Sequence, residues 1–185
     1  PLFNGAESIK ITQADRYQEN FKSNNKNNNL GGLYKIKHKN HFVIIDVDKP
    51  PQKKFSRSYQ SGPLSFEYFL DGTKIITNSG FGNLISKKAE LLSRLTACQS
   101  TLTINDTSIT KFEKNKMIGE IFGNSIKNSF NSFDISSKND GRIIGCSASN
   151  NGYEKRFGCI HKREIYLDKE SNYLKGTDHI FKAKD

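Results

Sequence analysis

Leu64-Ser65-Phe66-Glu67-Tyr68-Phe69, then Asp71-Gly72, then Lys74-Ile75-Ile76-Thr77-Asn78, is the stretch on which the fold reading turns. The first run alternates apolar with polar residues. Asp-Gly supplies the left-handed backbone of a two-residue hairpin, and the second run returns as a β-rich partner. The two runs are expected to pair antiparallel. Upstream, Leu33 to Lys37 alternates apolar with basic residues, and Phe42-Val43-Ile44-Ile45-Asp46-Val47 reads as a buried strand closed by Pro50-Pro51. Downstream, Ser100 to Ile104 alternates with Leu102 and Ile104 on one face. Further strand patterns follow at Ile118 to Phe122, Ser129 to Ile135, Arg142 to Ser149 and Phe157 to Leu167. Asn150-Asn151-Gly152 reads as a hairpin-type connection. Ser86 to Leu95, with Ala89, Leu92 and Leu95 at helical spacing, predicts one short helix. Many short strands and little helix imply an all-β antiparallel sandwich, supersandwich-like in its sheet stack.

The chain has 185 residues, enough for one domain with a core that needs neither disulfide nor metal. No run approaches the ~20 apolar residues that span a membrane, and no signal peptide is visible. The chain starts at Pro1, and Tyr173 to Phe181 stops where another strand is due. The expectation is therefore a single domain over 1–185, truncated at both ends, with an irregular lead-in over 1–29. Within that lead-in, Glu7 to Phe21 suits a short helix, although Ile9 to Thr12 alternates like a strand. Residues 23–29 form a polar loop, ended by Gly31-Gly32. The cysteines Cys98, Cys146 and Cys159 form no CxxC pair and have no zinc spacing. Each lies in an apolar strand-like run, and pairing of two of them stays open for a secreted chain.

Net charge is +10 and the isoelectric point about 9.5, with a mean hydropathy of -0.68. Such a surface attracts polyanions. The basic residues are nonetheless spread thinly, over 35–39, 53–57, 87–88 and 111–116, so drift in a Lys- and Asn-rich chain is the competing reading. The interleaved glycine-aromatic patterns of common single-strand binders are absent, which puts nucleic acid last among partners.

A second run, Ser93-Arg94-Leu95-Thr96-Ala97-Cys98-Gln99-Ser100-Thr101, resembles the Arg-x-Thr-Ala-x-His-x-Thr signature of the heparinase II/III family of polysaccharide lyases, with Gln99 at the histidine position. Other blocks resemble the same family in the same order. They are Pro1 to Ala6, Ile44 to Pro50, Gln60 to Glu67, Ile75 to Gly80, Gly152 to Arg163 with its Gly-Tyr and His-x-Arg elements, and a Leu-x-Gly-x-Asp turn at Leu174 to Asp178. The resemblance implies the β-sandwich that follows a helical toroid, a partner domain missing from this chain. It also implies acidic polysaccharide as ligand, β-elimination as chemistry, and a cell-envelope or periplasmic setting. That elimination needs the uronate carboxylate neutralised, a base for the C5 proton and an acid for the departing C4 oxygen.

By the same resemblance, the sandwich contributes a catalytic histidine and the ligands of a structural zinc. The catalytic position falls on Ser58, and the zinc positions on Gln60, Asn78 and Gln99. Ser58 has no useful pKa near neutrality, and neutral amides are poor zinc ligands. No cofactor is therefore expected, and the chain alone should lack lyase activity. Two readings of the amides stay open: a hydrogen-bonded cluster where the metal would sit, or three unrelated surface residues. Arg94, His161 and Arg163 are the candidate substrate contacts. Arg94 suits a core or a substrate carboxylate. His161 and Arg163 share one strand face, suited to a carboxylated sugar or to plain solvent. His38, His41 and His179 lack ligand spacing and read as surface residues. Tyr59, Tyr68, Tyr153, Tyr166 and Tyr173 read as packing or rim residues.

Overall fold

The computed structural model describes residues 29–113 and 124–183. The expected elements at 1–28 and Ile118 to Phe122 lie outside them. Among the described residues there are nine strands: β1 (Asn29–Leu30), β2 (Leu33–His38), β3 (His41–Asp46), β4 (Phe66–Leu70), β5 (Thr73–Ile76), β6 (Ser132–Asn139), β7 (Ile143–Asn150), β8 (Cys159–Asp168) and β9 (Tyr173–Lys182). They form two antiparallel meanders, β1-β2-β3-β4-β5 and β6-β7-β8-β9. Helix is limited to short pieces, chiefly α1 (Lys87–Ser93) and the single turn α2 (Glu154–Phe157). This is the all-β sandwich that the alternation predicts.

The period-2 pattern decides which side chains meet. Tyr34 and Ile36 of β2 and Val43 and Ile45 of β3 point inward. They pack against Ile144, Cys146 and Ala148 of β7 and Ile165 and Leu167 of β8, with Val47 and Leu64 at the margin. The Asp71-Gly72 hairpin forms as expected, both residues having positive φ (51° and 76°). A second, smaller cluster of Ile109, Phe130 and Tyr153 lies under the loops that join the sheets.

Several expectations change. Ser100 to Ile104 is not a strand but part of the long β5–β6 connection, with a lone bridge from Ile104 to Thr107. The Ser100 hydroxyl takes the Phe66 N–H at 2.8 Å, so a side chain stands where a neighbouring strand's carbonyl would. Asn150-Asn151-Gly152 does not close a tight hairpin. It leads into α2, which Gly158 ends in left-handed conformation. Leu174 to Asp178 is strand rather than turn, inside β9. Cys98 sits in a 3-10 turn (Thr96–Cys98), not a strand. Cys146 alone is buried in the core, where burial pushes its thiol up to about 12 and makes it inert. His41 is not a surface residue: it is buried, stacks on Tyr68 and shares a 2.9 Å hydrogen bond with the Tyr68 hydroxyl.

Gly145 on β7 has no room for a side chain, since a Cβ there would lie 2.2 Å from the Ile165 carbonyl and 2.5 Å from the Tyr166 ring. Gly145→Ala is expected to cost about 2 kcal/mol or more through overpacking, measured by urea unfolding. A change below about 0.5 kcal/mol, the usual range for unimportant positions, would contradict this packing.

Candidate functional site

The resembled motif is a clasp. Every polar side chain from Arg94 to Thr101 in its signature positions bonds the facing segment 56–66 or its immediate neighbours. Arg94 is fully buried (0% exposed). Its Nε donates to the Tyr59 carbonyl at 3.0 Å and its Nη2 to the Ser56 carbonyl at 2.9 Å. The guanidinium lies 3.9 Å from the centre of the Phe112 ring. Thr96 Oγ1 meets the Ser61 and Ser108 hydroxyls at 3.0 and 3.1 Å and accepts the Ile109 N–H. Thr101 Oγ1 donates to the Pro63 carbonyl at 2.6 Å.

Gln99 completes the clasp. Its Nε2 donates to the Ser93 carbonyl at 2.8 Å and, more weakly, to Gln60 Oε1 at 3.4 Å. Asn78 lies beside this pair but does not bond it. Its Oδ1 accepts the Ser100 N–H at 2.8 Å, and its Nδ2 reaches Ser65 Oγ at 3.5 Å. The arrangement is thus an amide pair with a third amide tied to its flanking serines. Gly62 allows the close approach: a Cβ there would stand 2.9 Å from Ser65 Oγ and 3.0 Å from Gln99 Cγ. Leu64 next to it is buried with φ of 58°, a strained backbone for a bulky residue. Its N–H donates to the Asp46 carbonyl and its own carbonyl accepts from Arg163 at 2.8 Å, which together hold the strained turn. Ser58 sits exposed in the turn after the 3-10 helix Lys53–Phe55.

This donor set does not fit zinc. The Gln60 and Asn78 side-chain oxygens already accept hydrogen bonds, and an amide nitrogen has no lone pair to give a metal. Among the described residues no group of three or more His, Cys, Asp or Glu is placed to hold a metal ion.

His161 and Arg163 lie on the inward face of β8, not on a solvated one. His161 is 1% exposed. Asn150 Nδ2 meets its Nδ1 at 3.1 Å, which leaves Nε2–H to donate to Asp178 Oδ1 at 2.7 Å. Arg163 forms a two-pronged pair with Asp178, its partner in the β8–β9 register, at 2.8 and 2.9 Å. Its Nη1 crosses to the Leu64 and Ser100 carbonyls. Arg163 therefore ties the second sheet to the segment that carries the amides. Asp178, Ser65 and Ser100 were missed by sequence reasoning. The signal for Asp178 was its place in the Leu-x-Gly-x-Asp block, which β9 brings directly opposite Arg163 of the His-x-Arg pair.

The family model described as Heparinase II/III-like, C-terminal matches residues 22–185. The chain belongs to this family and is a polysaccharide lyase-like module. Neither the curated proteins nor the solved structures contain a match to it.

Two predictions follow from the site. Partial burial raises the Asp178 carboxyl, but hydrogen bonds and charge from His161 and Arg163 outweigh it and hold the group well below the usual carboxylate range. Because its folded value is depressed, its stabilising contribution is complete above the unfolded value of ~3.9 and is lost as pH falls below it. Asp178→Asn is expected to lower Tm at pH 7, with the gap to the natural chain narrowing from about pH 4 to pH 2. A pH-independent gap would contradict the ion pair. Separately, the variant Gln60→His, Asn78→Asp, Gln99→His is expected to gain a zinc site. At zinc 100-fold above its Kd this would add about 2.7 kcal/mol, read as a Tm rise that a chelator reverses. No zinc response would show that these positions do not converge.

Proposed function

We propose that this domain engages acidic, uronic-acid polysaccharide without supplying the proton-transfer group of a lyase. The observation that carries the reading is the state of the resembled catalytic and metal positions. They hold a solvent-exposed serine, an amide pair and a third amide bound to serines. None of these can take a C5 proton near neutral pH or polarise a uronate carboxylate as a metal would. Arg94, His161 and Arg163 serve this reading from behind the site: Arg94 and Arg163 donate to carbonyls of the 56–66 segment and position it, while His161 and Arg163 hold Asp178. Any cleavage would break the C4–O bond and form the C4–C5 double bond using acid and base groups from outside this chain, consistent with a partner helical domain. We place the whole protein in the cell envelope or periplasm.

A second reading is favoured by the amide pair itself. With the Gln60 and Asn78 oxygens engaged, the site suits a carbohydrate-binding or envelope-assembly module that has no lyase centre. The two readings separate on the full-length protein, incubated with a panel of uronate polysaccharides and followed by ultraviolet absorbance of the unsaturated product. Product on any substrate supports the lyase assignment. Binding without product supports the module. Neither binding nor product on the panel would sink both.

A further inference from the structure

Three of the four sheet edges are blunted in ways that natural sheets use against edge-to-edge pairing. β1 has two residues. β5 has four and pairs with β4 through a register shift at Tyr68/Phe69. β6 is broken by a shift between Phe133 and Ser136, with Asp134 at φ of 50°. β9 is not blunted. It runs ten residues in unbroken register with β8, contains no proline, and has no other described strand on its far side. Along it Tyr173, Ile180 and Phe181 are 65%, 54% and 48% exposed. Its inward carboxylate, Asp178, is already matched by Arg163.

We propose that β9 pairs antiparallel with β9 of a second copy of this chain, centred on Thr177. This goes beyond the polysaccharide reading and does not rest on it. Residues opposite each other in an antiparallel pair share one face of the sheet, so the two-fold axis must pass through a residue. With Thr177 opposite itself, Tyr173 meets Phe181 of the second copy on the outer face. Leu174 meets Ile180 of the second copy on the inner face. Each large exposed apolar side chain of the strand thus finds another. Asp178 faces Gly176 of the second copy, where nothing stands within 4 Å of a Cβ position, so the pair with Arg163 is kept. Lys175 faces His179 of the second copy, whose Nε2 lies 3.8 Å from Glu164, which brings a cation near a carboxylate. One residue along, with Asp178 at the centre, the two Asp178 carboxylates would oppose each other and Leu174 would face Lys182. The inner pair also has a seat. Leu174 lines a cleft of about 450 Å³ between the sheets, with Tyr68, Ile75, Ile76 and Ile165. Ile180 of the second copy stands about 5 Å from Leu174 between Cβ atoms, against that wall of the cleft. The pairing joins the four-stranded sheets of both copies into one continuous sheet.

The test is sedimentation velocity of the full chain from micromolar to near-millimolar concentration, with cysteine cross-linking to fix the register. A concentration-dependent dimer is expected. Ile180→Lys with Phe181→Lys, shown folded by circular dichroism, should stay monomeric throughout. Thr177→Cys sets its thiol opposite itself, within the Cα separation that a disulfide spans. Lys175→Cys, on the same edge, stands four residues out of line with its copy, about 14 Å away. Under the same mild oxidant, Thr177→Cys should form cross-linked dimer at least about tenfold faster than Lys175→Cys. The natural chain, with Cys98 and Cys159 half-buried, sets the background rate. A chain that is monomeric at every concentration would overturn the proposal, as when another segment covers β9. Equal cross-linking of the two cysteine variants, or a dimer unchanged in the folded lysine variant, would put the contact elsewhere and overturn it too. If the lysine variant does not fold, the two cysteine rates decide.

Discussion

The buried guanidinium of Arg94 is the constraint on which the rest of the site depends. A charge removed from water is costly unless its donors are met. Here Nε and Nη2 are met by two backbone carbonyls of one loop and the guanidinium lies on an aromatic face, with no carboxylate in contact among the described residues. One Nη1 has no hydrogen-bond partner among the described residues. Burial lowers the Arg94 pKa, with nearby Glu90 opposing it, yet an arginine remains charged at any physiological pH. The 56–59 loop must therefore stay where its carbonyls can reach that charge. Ser61, Pro63 and Gln60 follow it into contact with Thr96, Thr101 and Gln99.

This changes what the family signature means physically. The arginine and the two threonines of the run face the protein, not a ligand. They align one long connection with another, so that position 99 arrives opposite position 60. Arg163 does the same from the second sheet, through the Leu64 and Ser100 carbonyls. With the scaffold anchored from both sheets, the residues at 60, 78 and 99 can differ in chemistry without loss of the fold, and in this chain they are amides.

The fold was legible because burial follows alternation. The alternation of Leu33 to Lys37 decides the face of β2, Phe42 to Val47 is legible as a strand but not as to which side is inward, and Asp71-Gly72 decides the β4–β5 hairpin. The site was legible only in part. Gln60 and Gln99 are 39 residues apart and meet because of Arg94 and Gly62, which local patterns do not report. One of the two open readings had Asn78 join them; it instead bonds Ser100 in the β5–β6 connection and Ser65 just before β4. His161 and Arg163 were correctly placed on one face, but alternation alone does not say which face is inward. That depends on Asp178, supplied by a strand that sequence reading took for a turn. His41 was missed for the same reason, its partner Tyr68 being 27 residues away.

The central claim is that the positions resembling a zinc site hold a self-bonded amide arrangement. The most direct measurement is the metal content of the natural chain after equilibrium dialysis against zinc and passage over a desalting column. The account predicts far less than one zinc per chain. One tightly held zinc per chain, lost on replacing Gln60, Asn78 or Gln99 with alanine, would contradict it.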